Sequence, residues 1–260
     1  MLCLELDYNK LLCLVSEMGY RLMESGAEIY RVEESIRRLL QAYGVEQGEV
    51  FAIPNCINIS LTAPNGQPLT QIRRMPAHGT DIYLLEQYNS LCRRLCAQTP
   101  PFDQALEQME AIRRNHKVYP LWGQLAAHFL GCGMFSLFYG GGPLDGLCGG
   151  LCGMVICLCL TLTSRLGANL FFKTVAGGAV SALAALILTR LGIGRNLDAI
   201  IIGALMALVP GIALTNAIRD IMAGDMVAGI SKSAEALLIG VAIALGTALS
   251  LGLAGLLGGG

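Results

Sequence analysis

Charged residues are distributed very unevenly along the 260-residue chain, and this limits its possible folds more than any other feature. Residues 1–118 contain 12 of the 18 Lys and Arg residues and 14 of the 19 Asp and Glu residues. The remaining 142 residues carry only 11 charges. A soluble domain has charge on about a quarter of its residues. The second part is therefore expected in lipid and the first part in water.

The second part contains five apolar segments, each long enough to cross the hydrocarbon core of a bilayer, which takes about 20 helical residues. We therefore predict an α-helical membrane protein with about five transmembrane helices, preceded by a small α+β cytoplasmic domain. The predicted boundaries are 1–117 for the cytoplasmic domain, 118–260 for the transmembrane bundle, and 119–139, 144–164, 168–191, 197–217 and 233–257 for the spans.

The first part alternates between helical and strand-like patterns. Apolar residues on one face indicate a helix over 5–22. Ser25 to Glu28 fits a capping box that would begin a second helix, which ends at Gly44. Strand-like runs follow, with an Asn-Gly hairpin turn at 65–66. The strands are predicted at 49–53, 56–62 and 69–75, and two later helices at 80–97 and 102–116.

The positive charges in the loops predict how the chain is oriented in the membrane. Arg113, Arg114 and Lys117 precede the first span and favour a cytoplasmic start. The first residues are acidic where a signal peptide would be basic, so the front domain is expected in the cytoplasm. Arg190 and Arg195 oppose this scheme, which puts them outside. The majority of charges favours an N-terminus inside and a C-terminus outside. We therefore predict a multi-pass protein of the plasma (inner) membrane with its N-terminal domain in the cytoplasm.

Small residues and thiols are common in the predicted spans. The glycines at 149–153 and 177–178 indicate close helix contacts; a glycine-lined conduit is the alternative. Cys92 and Cys96 have the spacing of half a metal site, but no second Cys/His pair matches them, so reduced structural thiols and no metal are expected. His128, inside the first span, is either an interhelical hydrogen-bonding residue or part of a proton relay.

The stretch from 208 to 225 contains the most informative polar residues of the apolar part. Pro210 removes a helix hydrogen bond and clashes with the preceding turn, so the fourth span should kink or break there. Asn216, Arg219 and Asp220 are spaced i, i+3, i+4 and share a helix face. Charges inside a membrane are costly and usually functional. We therefore predict a substrate or ion pathway that includes Pro210, Gly211, Thr215, Asn216, Arg219, Asp220, Asp225 and Glu235.

Several roles stay open for these residues. Arg219 suits a carboxylate, because its guanidinium can make two parallel hydrogen bonds. Asp220 could balance Arg219, hold a substrate amine or carry a coupled proton. Alternatively, Arg219, Asp220 and Asp225 simply end a helix at the cytoplasmic surface. Glu235 either pairs with Lys232 at the membrane boundary or takes part in proton coupling.

The motifs and the net charge narrow the function classes. No P-loop appears in the sequence, so we expect an ion gradient to supply the energy for transport. No GxSxG or HExxH motif is present and there are only three histidines, so no enzymatic activity and no cofactor are expected. A net charge of −1 argues against a nucleic-acid partner. The alternatives are a membrane-anchored hydrolase and a regulatory or scaffold subunit of a transport complex.

Two stretches, in the same order, resemble the signatures of the threonine/serine exporter family. The first is residues 25–34, followed by 51–54, and the second runs from 209 to 225 and continues to Glu235. The resemblance implies that Glu28, Arg31 and Glu33 are motif residues of the front domain. Taken without the resemblance, Glu28 caps a helix and Glu33 forms an i,i+4 pair with Arg37.

The resemblance also implies partners and substrates. Full-length members of the family join such a unit to a second set of membrane helices. This chain resembles the larger subunit of a split exporter, which works with a separate small membrane protein. One split system is associated with succinate export. The resemblance thus implies export of threonine/serine-type amino acids or dicarboxylates, with membrane lipid, a small polar substrate, and a second subunit or further copies of the chain as partners.

Overall fold

A computed structural model of the protein describes residues 7–75 and 79–258. Helices predominate, and one small antiparallel sheet lies near the N-terminus. The described residues form two compact units: the first extends to Lys117 and also includes Ile212–Ser233, and the second includes Val118–Gly211 and the residues from Ala234 onward. The elements are α1 (Tyr8–Glu24), α2 (Ile29–Ala42), β1 (Gly48–Ile53), β2 (Cys56–Thr62), β3 (Pro68–Arg74), α3 (Ile82–Gln98), α4 (Phe102–Asn115), α5 (Leu121–Phe138), α6 (Pro143–Arg165), α7 (Leu170–Arg190), α8 (Leu197–Leu205), α9 (Gly211–Met222) and α10 (Met226–Gly258).

The first unit buries a hydrophobic core between its helices and one face of its sheet. Leu14 of α1 and Ile36 of α2 are fully buried in it, as are Ile57 and Ile59 of β2. Alternate residues of β2 point inward, as expected for a strand with one buried face. The strands pair antiparallel in the order β1-β2-β3, and Gly66 forms the turn between β2 and β3 with a positive φ. The predicted strands and hairpin are confirmed.

The predicted capping box at Ser25 is wrong, because Ser25 ends α1 instead of starting α2. The Ser25 hydroxyl donates to the Leu22 carbonyl at 3.0 Å. Gly26 follows with φ +96°, the left-handed conformation that commonly ends helices. The next helix therefore begins only at Ile29, and its N-cap residue, Glu28, makes no side-chain cap. The first turn of α2 depends on an acceptor from elsewhere in the chain.

The second unit contains the most apolar helices of the chain. Four helices are long and apolar enough to cross a membrane in the described residues: Leu121–Phe138, Pro143–Arg165, Leu170–Arg190 and Met226–Leu256. Glycines lie at their closest contacts. A Cβ on Gly153 would lie 2.7 Å from the His128 carbonyl oxygen, and one on Gly178 would lie 2.9 Å from that of Ile243. The prediction of close helix contacts at these two glycine patches is confirmed.

The segment predicted as the fourth span, 197–217, forms two short helices. α8 ends at Leu205 and α9 begins at Gly211, so the chain breaks next to Pro210, as expected. The last helix, α10, begins at Met226, before the predicted start of the fifth span at 233. α9 and the first turns of α10 belong to the first unit. The structure gives a mostly helical multi-pass protein, and the number of crossings stays a prediction.

Candidate functional site

The candidate site lies in the first unit, where the connection between α1 and α2 contacts one face of α9. We call residues Ser25–Ile29 the α1–α2 corner. Gly26 suits this position because a side chain has no room there: a Cβ would lie 2.7 Å from the Gly79 carbonyl oxygen. The corner presents the carbonyl of Gly26, the carboxylate of Glu28 and the free N–H of Ile29.

α9 binds all three of these groups with one helix face. The Asn216 side-chain amide donates to the Gly26 carbonyl at 3.3 Å. Arg219 Nη1 lies 2.9 Å from Glu28 Oε1, and Asp220 Oδ1 accepts from the Ile29 N–H at 3.0 Å. The predicted shared face of Asn216, Arg219 and Asp220 is therefore confirmed.

Asp220 supplies the cap that α2 lacks. Its carboxylate is fully buried, and its second oxygen accepts from Lys232 Nζ at 2.7 Å. The Lys232 side chain is only 11% exposed. A buried carboxylate at a helix N-terminus is stabilised by the free N–H groups and by the helix dipole. In this arrangement Asp220 pairs with Lys232, whereas Arg219 pairs with Glu28.

Glu28 lies between two arginines. Besides Arg219, Arg31 approaches it, with Nε 3.6 Å from Oε2. The Glu28 side chain is 8% exposed, while Arg219 is 55% exposed. The carboxylate is thus fixed inside the protein, and the guanidinium of Arg219 extends from it towards solvent. The hydrogen bond to Tyr30, followed by the charge of Glu28, raises the pKa of Arg31.

Glu33, the third motif residue of the front domain, lies one turn further along α2. Its carboxylate accepts from the Ala52 N–H on β1 at 2.7 Å. Burial raises the pKa of Glu33, and the nearby charge of Asp225 raises it further. Burial also raises the pKa of Asp225, with a further contribution from Asp220. The negative charge of one carboxylate disfavours the ionisation of its neighbour, so one of these carboxyl groups can remain protonated.

The other predicted site residues are distributed around the break and along α10. Pro210 lies in the non-helical link, and Gly211 and Thr215, on α9, are exposed. Glu235 is half-buried on α10, in the second unit. Within residues 7–75 and 79–258, no group of three or more His, Cys, Asp or Glu side chains could hold a metal ion.

The partners within this site were not predicted from the sequence. A pair with Glu235 was one of two interpretations for Lys232, and the start of α2 was predicted to be capped by Ser25 and Glu28. The available signal was a helix start in one signature and an Arg-Asp pair in the other. Spacing alone could not connect them, since about 190 residues separate the two stretches.

Comparisons with known proteins agree with the two signatures. The family described as "Putative threonine/serine exporter" matches residues 13–254. The "Probable threonine/serine exporter" of Mycobacterium tuberculosis is 25% identical over 251 residues, which cover 95% of this chain and 47% of that protein. The "Probable succinate transporter subunit YjjP" of Escherichia coli is 26% identical over 254 residues, 93% of this chain and 94% of that protein. No solved structure gives a significant match.

Proposed function

Since the chain belongs to the threonine/serine exporter family, we propose that it is a component of a secondary active exporter of small polar metabolites in the plasma membrane. The front domain would face the cytoplasm. The observation that carries this proposal is the broken apolar segment at Pro210, followed at once by a polar helix face. Interrupted helices beside polar groups are a recurring feature of transporter sites.

The names of two relatives support the proposed substrate class. One relative is named for threonine and serine, the other for succinate. All three solutes carry a carboxylate, which a guanidinium binds well. We propose threonine/serine-type amino acids or dicarboxylates as substrates, and the residues around α9 as part of the pathway: Pro210, Gly211, Thr215, Asn216, Arg219, Asp220, Asp225 and Glu235.

A second subunit is part of the proposal. The chain spans about half of the Mycobacterium tuberculosis relative but nearly all of the Escherichia coli one, which is named a subunit. We propose that a small membrane protein supplies further helices. The exposed apolar faces of α5 and α10, including Leu130, Phe138 and Leu238, are available to lipid or to such a partner.

Protons are the proposed coupling ion. Burial raises the pKa of both Glu33 and Asp225, and the charge of Asp225 raises the pKa of Glu33 further. A carboxyl group with a raised pKa keeps its proton to higher pH than an ordinary surface carboxyl does, which suits a proton carrier. Asp225 lies three residues after the end of α9, so a change in its protonation would change the charge next to the helix that carries Arg219.

Uptake by inside-out membrane vesicles tests the proposal. Vesicles containing the chain and its small partner should accumulate labelled threonine, serine or succinate when a proton gradient is imposed. Arg219→Ala should abolish most of this uptake while the amount of protein in the membrane stays unchanged. Arg38→Ala is the matched control, because Arg38 forms only an exposed pair with Glu34 on α2. No uptake of any of the three solutes by the wild-type pair would refute export.

A scaffold role is the second candidate, favoured by the contacts of Asn216, Arg219 and Asp220 with the protein's own corner. If these residues only hold the front domain in place, Arg219→Ala should transport as the wild type does. The partner should still copurify with the variant. That result would mean that these residues serve assembly of the complex and do not form part of the substrate pathway.

A further inference from the structure

A second polar site lies between α5 and α6, within the second unit. The cavity there has a volume of about 490 Å³ and is lined by Gln124 and His128 of α5 and by Thr161, Ser164 and Arg165 of α6. Small-molecule sites commonly measure about 300–1,000 Å³. Polar side chains in membrane helices are costly, and those around a cavity are usually functional. None of these residues belongs to the α9 site.

The sequence of α6 explains why the cavity opens at this point. Gly150 and Gly153 bring α6 so close to α5 that a Cβ on either would lie within 2.8 Å of an α5 carbonyl oxygen. The same face continues with Cys157, Leu160 and Thr161, which are larger. Larger contact residues hold two helices further apart. The larger residues lie towards the end where α5 begins and α6 finishes, and the cavity lies at that end.

The polar groups on the two helices are spaced to face a common ligand. Gln124 and His128 are four residues apart, as are Thr161 and Arg165, so each pair occupies one helix face. His128 Nδ1 lies 2.8 Å from the Gln124 carbonyl oxygen, which leaves Nε2 for a ligand. The Thr161 hydroxyl donates to the Cys157 carbonyl at 2.8 Å and can still accept a hydrogen bond.

The charge of the cavity comes from one residue. Among the residues that the structure describes, Arg165 is the only charged one that lines the cavity, and no carboxylate among them forms an ion pair with it. A guanidinium keeps its charge at all relevant pH values and makes paired hydrogen bonds with a carboxylate. The neutral oxygens of Gln124, Thr161 and Ser164 suit an ammonium or hydroxyl group of the same ligand.

We propose that the α5–α6 cavity binds the carboxylate of the exported metabolite, with Arg165 as its ion-pair partner. The identity of the ligand rests on the proposed export function. The cavity lies at the end of the hairpin that follows Lys117, which is the cytoplasmic end in the predicted orientation. An exporter takes up its substrate from that side.

Equilibrium binding to the purified full chain in lipid nanodiscs tests this independently of transport. Labelled threonine, serine and succinate are the probes. Arg165→Gln should weaken binding of the preferred solute by about 10- to 100-fold, as expected for loss of charge-assisted hydrogen bonds. Arg190→Gln should bind like the wild type, because Arg190 ends α7 as Arg165 ends α6. The single tryptophan, Trp122, gives a label-free readout two residues before Gln124.

A second variant covers the case in which Arg165→Gln fails to insert. Thr161→Val keeps the shape of the side chain and should weaken binding about 2- to 10-fold through loss of a neutral hydrogen bond. Wild-type affinity in both variants, or equal loss in Arg190→Gln, would overturn the proposal, as would no binding of any probe to the wild type. Binding without efflux would support this site and refute the export function.

Discussion

Replacing Asp220 should destabilise the first unit more than any other single change at the candidate site. One carboxylate oxygen caps α2 through the Ile29 N–H at 3.0 Å, and the other binds Lys232 Nζ at 2.7 Å. The carboxylate has no exposed surface. Asp220→Ala would therefore leave a buried ammonium without its counter-ion and a helix start without an acceptor.

The size of the effect can be worked from these two losses. Removing one partner of a buried ion pair costs about 3–5 kcal/mol. Loss of a helix cap costs about 0.5–2 kcal/mol. Because the same carboxylate serves both contacts, the costs overlap and are not summed. We expect Asp220→Ala to lower the free energy of unfolding of the first unit by about 3–5 kcal/mol.

Two conservative variants separate the charge from the cap. Asp220→Asn keeps an oxygen for the Ile29 N–H but removes the negative charge. Lys232→Met removes the positive charge and keeps most of the side-chain length. Each single variant leaves one buried group without its partner, whereas the double variant leaves neither charge. We expect the double variant to be at least about 1 kcal/mol more stable than the sum of the single effects predicts.

Hydrogen exchange of the α2 amides, measured by mass spectrometry, locates the effect. Since each 1.4 kcal/mol is a factor of ten, a loss of 3 kcal/mol should speed exchange at the start of α2 by about 100-fold. Glu34→Gln is the matched control, because its pair with Arg38 is exposed and contributes at most about 1 kcal/mol. If Asp220→Ala exchanged at the same rate as Glu34→Gln, the reasoning about the buried pair would be refuted.

Three further changes test other parts of the protein. Burial raises the pKa of Glu33, so between the ordinary glutamate pKa and the raised value the folded state keeps a proton that the unfolded state loses. The unfolding temperature should therefore fall as pH rises through that range, and Glu33→Gln should flatten the profile. A hydrogen bond with Cys92 lowers the pKa of Cys96 to about 7. At pH 7, Cys96 of the wild type should therefore be alkylated several-fold faster than Cys96 of the Cys92→Ala variant, as measured by peptide mass spectrometry. Gly153→Ala should cost about 1–3 kcal/mol in thermal unfolding, whereas Gly240→Ala, with nothing within 4 Å of the added Cβ, should not.

Each of these predictions has a result that contradicts it. A wild-type pH profile as flat as that of Glu33→Gln would show that the carboxyl is not buried. Equal alkylation rates of Cys96 with and without Cys92 would contradict the hydrogen bond between the two thiols. Equal stability of Gly153→Ala and Gly240→Ala would mean that α5 and α6 do not approach as closely as the structure shows.

The sequence was sufficient for features that depend on local chemistry. Alternating residues and an Asn-Gly turn predicted the three strands, and Pro210 predicted the break after α8. The same local reasoning failed at Ser25, because this residue could either end α1 or start α2. A glycine with positive φ settled the competition in favour of ending α1. The Ser25–Glu28 pattern cannot predict that outcome, since the same residues are compatible with the end of one helix and with the start of the next.

The site itself was only half predictable. Helical spacing placed Asn216, Arg219 and Asp220 on one face, but not what that face would meet. A membrane cavity and a helix–helix corner of the first unit are equally compatible with an i, i+3, i+4 pattern. The partners, Glu28 and the Ile29 N–H, lie about 190 residues earlier in the chain. Only the three-dimensional fold connects them.

The contacts between α9 and the α1–α2 corner differ in strength, so the weaker contact is expected to open before the stronger one. Arg219 is 55% exposed, so a ligand carboxylate can reach it. Glu28 is only 8% exposed but keeps Arg31 as a second partner, so the exchange would not leave its carboxylate without an ion pair. Asp220 cannot leave Lys232 without a cost of several kcal/mol. α9 is therefore expected to stay attached to α2 while Arg219 changes partners. Any bending then falls on the link around Pro210, which has no N–H with which to rebuild a continuous helix.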